Sequence, residues 1–451
     1  MRVKRGGRDV KVEVRADGEG LVSHAGAALI AETADRLGLT SALDRALAPL
    51  RERASRHSPG RVLRDLAVML ADGGDGLCDL GALRDQAALF GAVASDSTAY
   101  RLIERIAADP GALERIRGAR AEARARAWRR GARPRLAVID LDATLLVAHS
   151  DKQGAAGTFK GGFGFHPMLA YLDGSEEAPA GMLRPGNAGA NTAEDQIAVL
   201  DAALAQLPRR VAAREQILVR ADSAGATHAL LAFCRDGRLG FSVGFDLTEP
   251  VRAAILGLGE DAWVSALTQD GQPRDDDSAQ VAEITDRLEL SSWPTGSRVI
   301  ARREHPHPGA QISFTDHEGH RFQAILTDQV DDDIAYLEAR HRGHARVEDR
   351  IRTGKDCGME KLPFRDYAMN AVWLELSLIA QDLLAWSKAL CLDGESARCE
   401  PKRLRYRLLH IAGRLAFHAR QAILHLDHDW PWAHELAAAF ARLAALPPPT
   451  R

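Results

Sequence analysis

Disulfide and thiol chemistry have little material in this chain of 451 residues. Its five cysteines (Cys78, Cys234, Cys357, Cys391, Cys399) are scattered with no C-x-x-C spacing, so neither a disulfide framework nor a zinc site is indicated. That usage fits a reducing compartment, and a cytoplasmic location is expected. An apolar N-terminal run is also missing: MRVKRGGRDVKVEV does not read as a secretion signal. No stretch is apolar enough for a membrane span, because the greasiest segment, Ala371–Trp386, carries Glu375 and Asp382 and reads as a core helix. Repeats and long low-complexity tracts are absent. Charge of one sign is scarce as well: the formal net charge of −3 does not by itself suggest a nucleic-acid binder.

The charge that exists is segregated. From Arg101 to Arg135 eleven arginines face four acids (Glu104, Asp109, Glu114, Glu122). The Arg-rich helix expected over Arg115–Arg130 reads either as a track for a phosphate backbone or as a solvated face. Just before it, SDSTAYRLIERI (Ser95–Ile106) reads as a helix capped by Asp96 or Ser97 that presents Thr98, Arg101 and Arg105 outward. Short helices are expected earlier, over Ala27–Arg51 and Arg61–Ala71. A capped basic helix after short helices fits a helix-turn-helix, and equally a plain helical bundle.

The strongest single stretch is LAVIDLDATLLV, Leu136–Val147. Its aliphatic and β-branched residues predict one buried strand, entered at Pro134. Asp140 and Asp142 are two residues apart, so the period-2 pleat sends both to one face. Carboxylates in an apolar strand are costly to bury unless paired, hydrogen-bonded or bound to a metal. A capped turn after the strand is the bland alternative.

Downstream, Lys160–Gly174 and Ala178–Gly189 predict two further strands in an antiparallel meander, and Asn191 or Thr192 caps a helix over Ala193–Leu207. Gln216–Gly225 (QILVRADSAG) is a fourth strand with Asp222 at its end, followed by a helix (Thr227–Arg235) and a fifth strand (Gly240–Phe245). This order is an α/β layer arrangement with acids at strand ends. Short β-like runs (VAEIT, SRVIARRE, QISFT, RFQAILT) fill the region up to about Val330. Helical periodicity returns over Ile334–Asp356, where Glu348 shares a face with His341, His344, Arg352 and Lys355. The tail is expected to be helical to Leu446. Two strand acids and a helix acid suit a pair of hard divalent cations, which activate a hydroxyl and stabilise a leaving oxygen in phosphodiester attack.

Taken together, D-A-T at Asp142–Thr144, LRPGNAGANTAEDQ at Leu183–Gln196, RADS at Arg220–Ser223 and RVEDRIRTGK at Arg346–Lys355 resemble a DDE transposase of a bacterial insertion sequence. The resemblance implies an α/β fold: a ribonuclease-H-like core interrupted by a β-rich insertion, with a helical N-terminal DNA-binding region and a helical C-terminus. The implied divisions are 1–130 for DNA ends, 131–246 and 331–390 for the core, 247–330 for the insertion and 391–451 for the C-terminal helices. It also implies Mg²⁺-dependent cleavage (Mn²⁺ substituting) at terminal inverted repeats and joining to target DNA by a homodimer, with no membrane partner. Asp142, Asp222 and Glu348 map onto the three metal-binding catalytic acids, with Asp140 in reserve for Asp142. Lys355, Arg352, His344, His341, Arg101 and Arg105 are the expected DNA contacts. His341 and His344 depart from the Tyr and Arg of related helix motifs, and could be solvated instead. The alternative is a haloacid-dehalogenase-like phosphohydrolase in which DLDATLL supplies Asp140 as nucleophile and Asp142 as general acid, with Asp331 and Asp333 as the distal acidic pair. A non-catalytic DNA-binding protein gives the strand acids no purpose.

Overall fold

A proline decides where the central strand stops. In the computed structural model, which describes residues 2–448 apart from 6–7, 52–55, 209–216, 275–277, 307–315, 318 and 420, Val138–Ala143 forms β1, antiparallel to Met168–Leu172 (β2). The ladder ends with Ala143 opposite Met168. One step on, the Thr144 N–H still reaches Pro167 O at 3.2 Å, but proline has no N–H to return. Leu146–Val147 pairs instead with Phe163–Phe165 in a separate three-stranded sheet. The single strand expected over Leu136–Val147 is therefore two.

Around β1 the sheet grows to ten strands. On one side lie β2 and Ala180–Met182 (β3), both antiparallel. On the other, Leu218–Ala221 (β4) and Gly240–Phe245 (β5) run parallel to β1. Val264–Ser265 (β6), Ala279–Glu283 (β7), Arg298–Glu304 (β8) and His320–Thr327 (β9) continue past β5 in the order β6-β7-β8-β9-β5, all antiparallel. The QISFT run expected as a strand lies outside the described residues.

The helices named below are α1 (Ala27–Arg36), α2 (Leu39–Ala46), α3 (Pro59–Ala71), α4 (Asp96–Ala108), α5 (Ala112–Ala127), α6 (Ala193–Ala205), α7 (His228–Asp236), α8 (Ile334–Arg342), α9 (Val347–Gly354), α10 (Tyr367–Cys391) and α11 (Ala433–Ala445). Ser95, one residue before the expected cap, caps α4: its Oγ accepts the Thr98 N–H at 3.3 Å. Asp366 caps α10 through the Met369 N–H at 2.8 Å. Helix α10 packs against α1, α3, α4, α5 and α11, so one buried apolar cluster runs from Val22 to Leu443.

Two arginines of the Arg-rich segment are turned into the core. Arg120 and Arg124 on α5 are fully buried. Arg120 pairs with Glu375 and, at 2.9 Å, with Asp382, both on α10. Arg124 reaches Asp382 at 2.5 Å and Glu177 at 2.8 Å. Buried charges of this kind persist because each is paired and hydrogen-bonded. The acids that made Ala371–Trp386 unsuitable for a membrane are the partners of those arginines, and among the described residues no helix is long and apolar enough to cross one.

Two further expectations change. The late helix is not continuous: a 3₁₀ turn at Gly343–Arg346 separates α8 from α9. The tail is not all helical, since Gly413–His418 and Gln421–Leu426 form a hairpin that also pairs with Leu21–Val22. The alternation in RLAFH and QAILHL is a strand signal.

Candidate active site

Register brings the strand acids together. β1 and β4 are parallel with Arg220 beside Asp140 and Ala221 beside Leu141, so Asp222 follows next to Asp142. The pleat puts Asp140, Arg220, Asp142 and Asp222 on one face. Asp222 ends β4 and caps the following turn, accepting the Ala224 N–H at 3.0 Å. Helix α9 crosses β1, and Glu348 sits in its first turn. Asp142 is half-buried, whereas Asp222 and Glu348 are exposed.

The electrostatics follow from that placement. Asp142 is pushed up to about 6, first by burial and then by the negative charges of Asp222 and Glu348. The Ala143 N–H, 2.7 Å from Asp142 Oδ1, and the nearby His344 oppose the shift without cancelling it. Beside it the Tyr171 hydroxyl is buried, has no hydrogen-bond partner, and is pushed upward by burial and by Asp142. A carboxyl held among carboxylates, with an orphaned hydroxyl alongside, is an under-compensated oxygen-donor site. It fits hard divalent cations, and Asp142, Asp222 and Glu348 are the residues that would hold them. The three do not close on a single ion: among the described residues only His24, Asp72 and His410 bring three ligand atoms within 4.8 Å of one another. A pair of cations, which these three acids would hold between them and which would supply Lewis acidity there, does not require all three ligand atoms to meet at one point.

Beneath the acids lies a layer built on Arg220 and Asp173, neither of which was assigned a role from sequence. Arg220 clamps Asp140 with two 2.8 Å hydrogen bonds, from Nε to Oδ1 and from Nη2 to Oδ2. Arg220 also binds Asp173 at 2.8 Å and the Arg340 carbonyl at 2.5 Å. Burial works upward on Asp173, but Arg346 and Arg220 together hold its carboxyl below the ordinary carboxylate range. His344 Nδ1 donates to Asp140 Oδ1 at 2.8 Å. Asp140 is thus buried and hydrogen-bonded on both oxygens, which disfavours it as the nucleophile a phosphohydrolase would need. The Arg220 of RADS was the available signal: a cation two residues before an acid in a buried strand needs an anion on the same face.

The expected DNA contacts divide. His341 and His344 are partly buried and hydrogen-bonded within the protein. His341, on α8, and His344, within the 3₁₀ turn, both point inward, His341 Nδ1 to Ser242 Oγ at 3.0 Å and His344 to Asp140. Burial, with the charges of His344 and Arg220, lowers His341 to about 3, so its ring is neutral at physiological pH. Both histidines border a cleft of about 610 Å³ that opens beside Asp222, with Phe245, Arg302 and Arg342 on its walls. Arg352 is exposed and paired with Asp349 at 2.8 Å and Glu400 at 3.6 Å. Lys355, half-buried at the end of α9, has no ion pair among the described residues. Arg101 and Arg105 lie apart from the acids on α4, where Arg101 Nε bonds Ser97 O and Arg105 Nη1 bonds Leu50 O.

Compared with known proteins, residues 4–448 match a family model described as the transposase DDE domain, group 1. No curated protein matches the chain. Among solved structures it is similar to a cryo-EM structure of the piggyBac transposase synaptic complex with hairpin DNA, at 10% identity and a TM-score of 0.42, covering 86% of this chain and 80% of that one.

Proposed function

Because this chain belongs to the transposases of DDE domain group 1, we propose that it cuts DNA at the ends of a bacterial insertion sequence and joins them to target DNA through Asp142, Asp222 and Glu348. The family is one of DNA-cleaving transposases and implies dependence on a divalent metal. Mg²⁺, with Mn²⁺ as a substitute, is the cation whose preference for oxygen ligands suits three carboxylates. The observation that carries the reading is the register that sets Asp142 beside Asp222 under the Glu348 helix, where Asp142 is pushed up to about 6. The strand order β3-β2-β1-β4-β5, with only β4 and β5 parallel to β1, supports a ribonuclease-H-like core over 131–246 and 331–390. Residues 247–330 then form the β-rich insertion, 1–130 the region that binds DNA ends, and 391–451 the C-terminal region.

The residues divide the work by position. Two divalent cations at the acids would supply the Lewis acidity for in-line attack of water or a 3′-hydroxyl on a phosphodiester. Asp142, Asp222 and Glu348 hold the charge that gathers those cations. Arg220 and His344 fix Asp140, and with it the strand backbone that aims Asp142. Lys355, about 10 Å along the helix from Glu348, reaches a phosphate next to the scissile one as a point charge. The partners are the terminal inverted repeats, the target DNA and a second copy of the chain, and the site of action is the nucleoid in the cytoplasm.

Incubating the purified chain with its flanking DNA ends and Mg²⁺ tests this. Strand cleavage at the ends is expected, and Asp142→Asn, Asp222→Asn or Glu348→Gln should each abolish it. Cleavage that survives in any one of the three variants removes that residue from the trio.

A further inference from the structure

Far from the acids in sequence and in donor chemistry, three side chains converge where the two ends of the chain meet. Leu21–Val22 pairs with Gly413–Arg414, and the Ala25 and Gly26 N–H groups bond Ile411 O and Leu409 O at 3.0 and 3.1 Å. His24 lies in that crossing with φ of 53°, a left-handed backbone that few non-glycine residues adopt. Asp72 ends α3 and is buried beneath it. His410 follows the turn Arg405–Leu409 on the opposite side.

We propose that His24, Asp72 and His410 form a binding site for a transition-metal cation of the zinc type. His24 Nδ1 lies 2.5 Å from Asp72 Oδ2, and His410 Nε2 lies 3.2 Å from Asp72 Oδ1. The imidazole centroids are 4.1 Å apart, and one ligand atom from each residue falls within 4.8 Å of the other two. Ligand atoms around a tetrahedral ion with bonds of about 2.0 Å stand roughly 3.3 Å apart, so His24 and Asp72 would open slightly and the third ligand atom would close in to hold an ion. A second observation supports it: buried Asp72 Oδ1 accepts no well-formed hydrogen bond, because His410 Nε2, 3.2 Å away, is turned to the Asp72 carbonyl at 3.0 Å instead.

The donor set selects the ion. Two imidazoles and one carboxylate suit Zn²⁺ and its borderline neighbours, whereas Mg²⁺ and Ca²⁺ prefer oxygen alone. This site and the acidic trio therefore take different metals. Three protein ligands leave one coordination position, on the side where His410 borders a hollow of about 630 Å³ shared with Lys402, Arg405 and Tyr406. Arg405 borders the same hollow, and its guanidinium is already committed to the carbonyls of Ala71 and Asp356. An ion here joins three segments that no cysteine spacing could have advertised, and ties the N-terminal crossing to the C-terminal hairpin.

The test uses the full-length chain stripped by chelator, with Asp142→Asn in every arm to disable the acidic trio. Co²⁺ titration should give d–d absorption bands of a four- or five-coordinate nitrogen–oxygen site at one equivalent, and one equivalent of Zn²⁺ should abolish them. His24→Gln with His410→Gln should lose the bands and bind Zn²⁺ more than about 100-fold more weakly, beyond what loss of an outer-shell partner does. Asp72→Asn, which keeps the shape of the side chain, should do the same and serves if the double variant does not fold. Absence of bands with all three ligands intact, or bands that persist in the folded variants, overturns the proposal.

Discussion

Asp142→Asn in the metal-free protein should raise stability at neutral pH while abolishing cleavage. The ordinary aspartate value of 3.8 describes the unfolded chain, and the folded value is about 6. The folded protein therefore binds the extra proton between these values, and stability falls as pH rises through that window. At about 1.4 kcal/mol per unit, the ionised carboxylate costs the fold about 3 kcal/mol above pH 6. Asparagine removes the charge but keeps Oδ1 as an acceptor for the Ala143 N–H, 2.7 Å away. Thermal melts in EDTA at pH 8 and at pH 4 provide the assay. For a chain of this length the melting temperature should rise by roughly 3–6 °C at pH 8, with a much smaller gain near pH 4. Millimolar Mg²⁺ should erase the difference, because the wild-type carboxylate then has cations to pair with. A gain of equal size at both pH values, or a loss at pH 8, would refute the electrostatic argument.

Other perturbations test the surrounding structure. Arg124→Met leaves Glu177 buried without its cation and Asp382 with Arg120 alone, and should cost about 3–5 kcal/mol in urea unfolding; a loss below about 1 kcal/mol would mean the network is not a core element. Lys355→Ala should slow cleavage of end DNA while changing stability by less than about 0.5 kcal/mol, and a wild-type cleavage rate at physiological salt would end the phosphate-positioning role. Gly343→Ala places a Cβ 2.6 Å from Arg220 Nη1, so Arg220 must shift and loosen Asp140. Cleavage should fall and stability should drop by about 1–3 kcal/mol; unchanged values for both would show that the clamp is not needed.

What the residues determine alone is local and periodic. Alternation in VIDLDA and LVRAD puts Asp142 and Asp222 at the ends of apolar strands, and the fifth strand, Gly240–Phe245, is found where its composition predicts it. Helix α6 begins at Ala193 as its capping residues predict. Those features depend on neighbours a few positions away, so a linear pattern carries them. The roles of Arg120 and Arg124 were not legible, because the burial of α5 depends on acids that lie 255 and 258 positions later. Asp140 shares a face with Asp142 in the strand pattern, and only the register of β4 pairs it with Arg220. The late helix kept a periodic pattern across Gly343–Arg346, yet packing over Arg220 turns it into a 3₁₀ link, with His341 before it and His344 within it pointing inward. The His24–Asp72–His410 cluster spans separations of 48 and 338 residues. Charge in a sequence states what must be compensated; only the packed chain chooses the partner, because pairing energies fall off within a few ångströms and those distances are set by tertiary contacts.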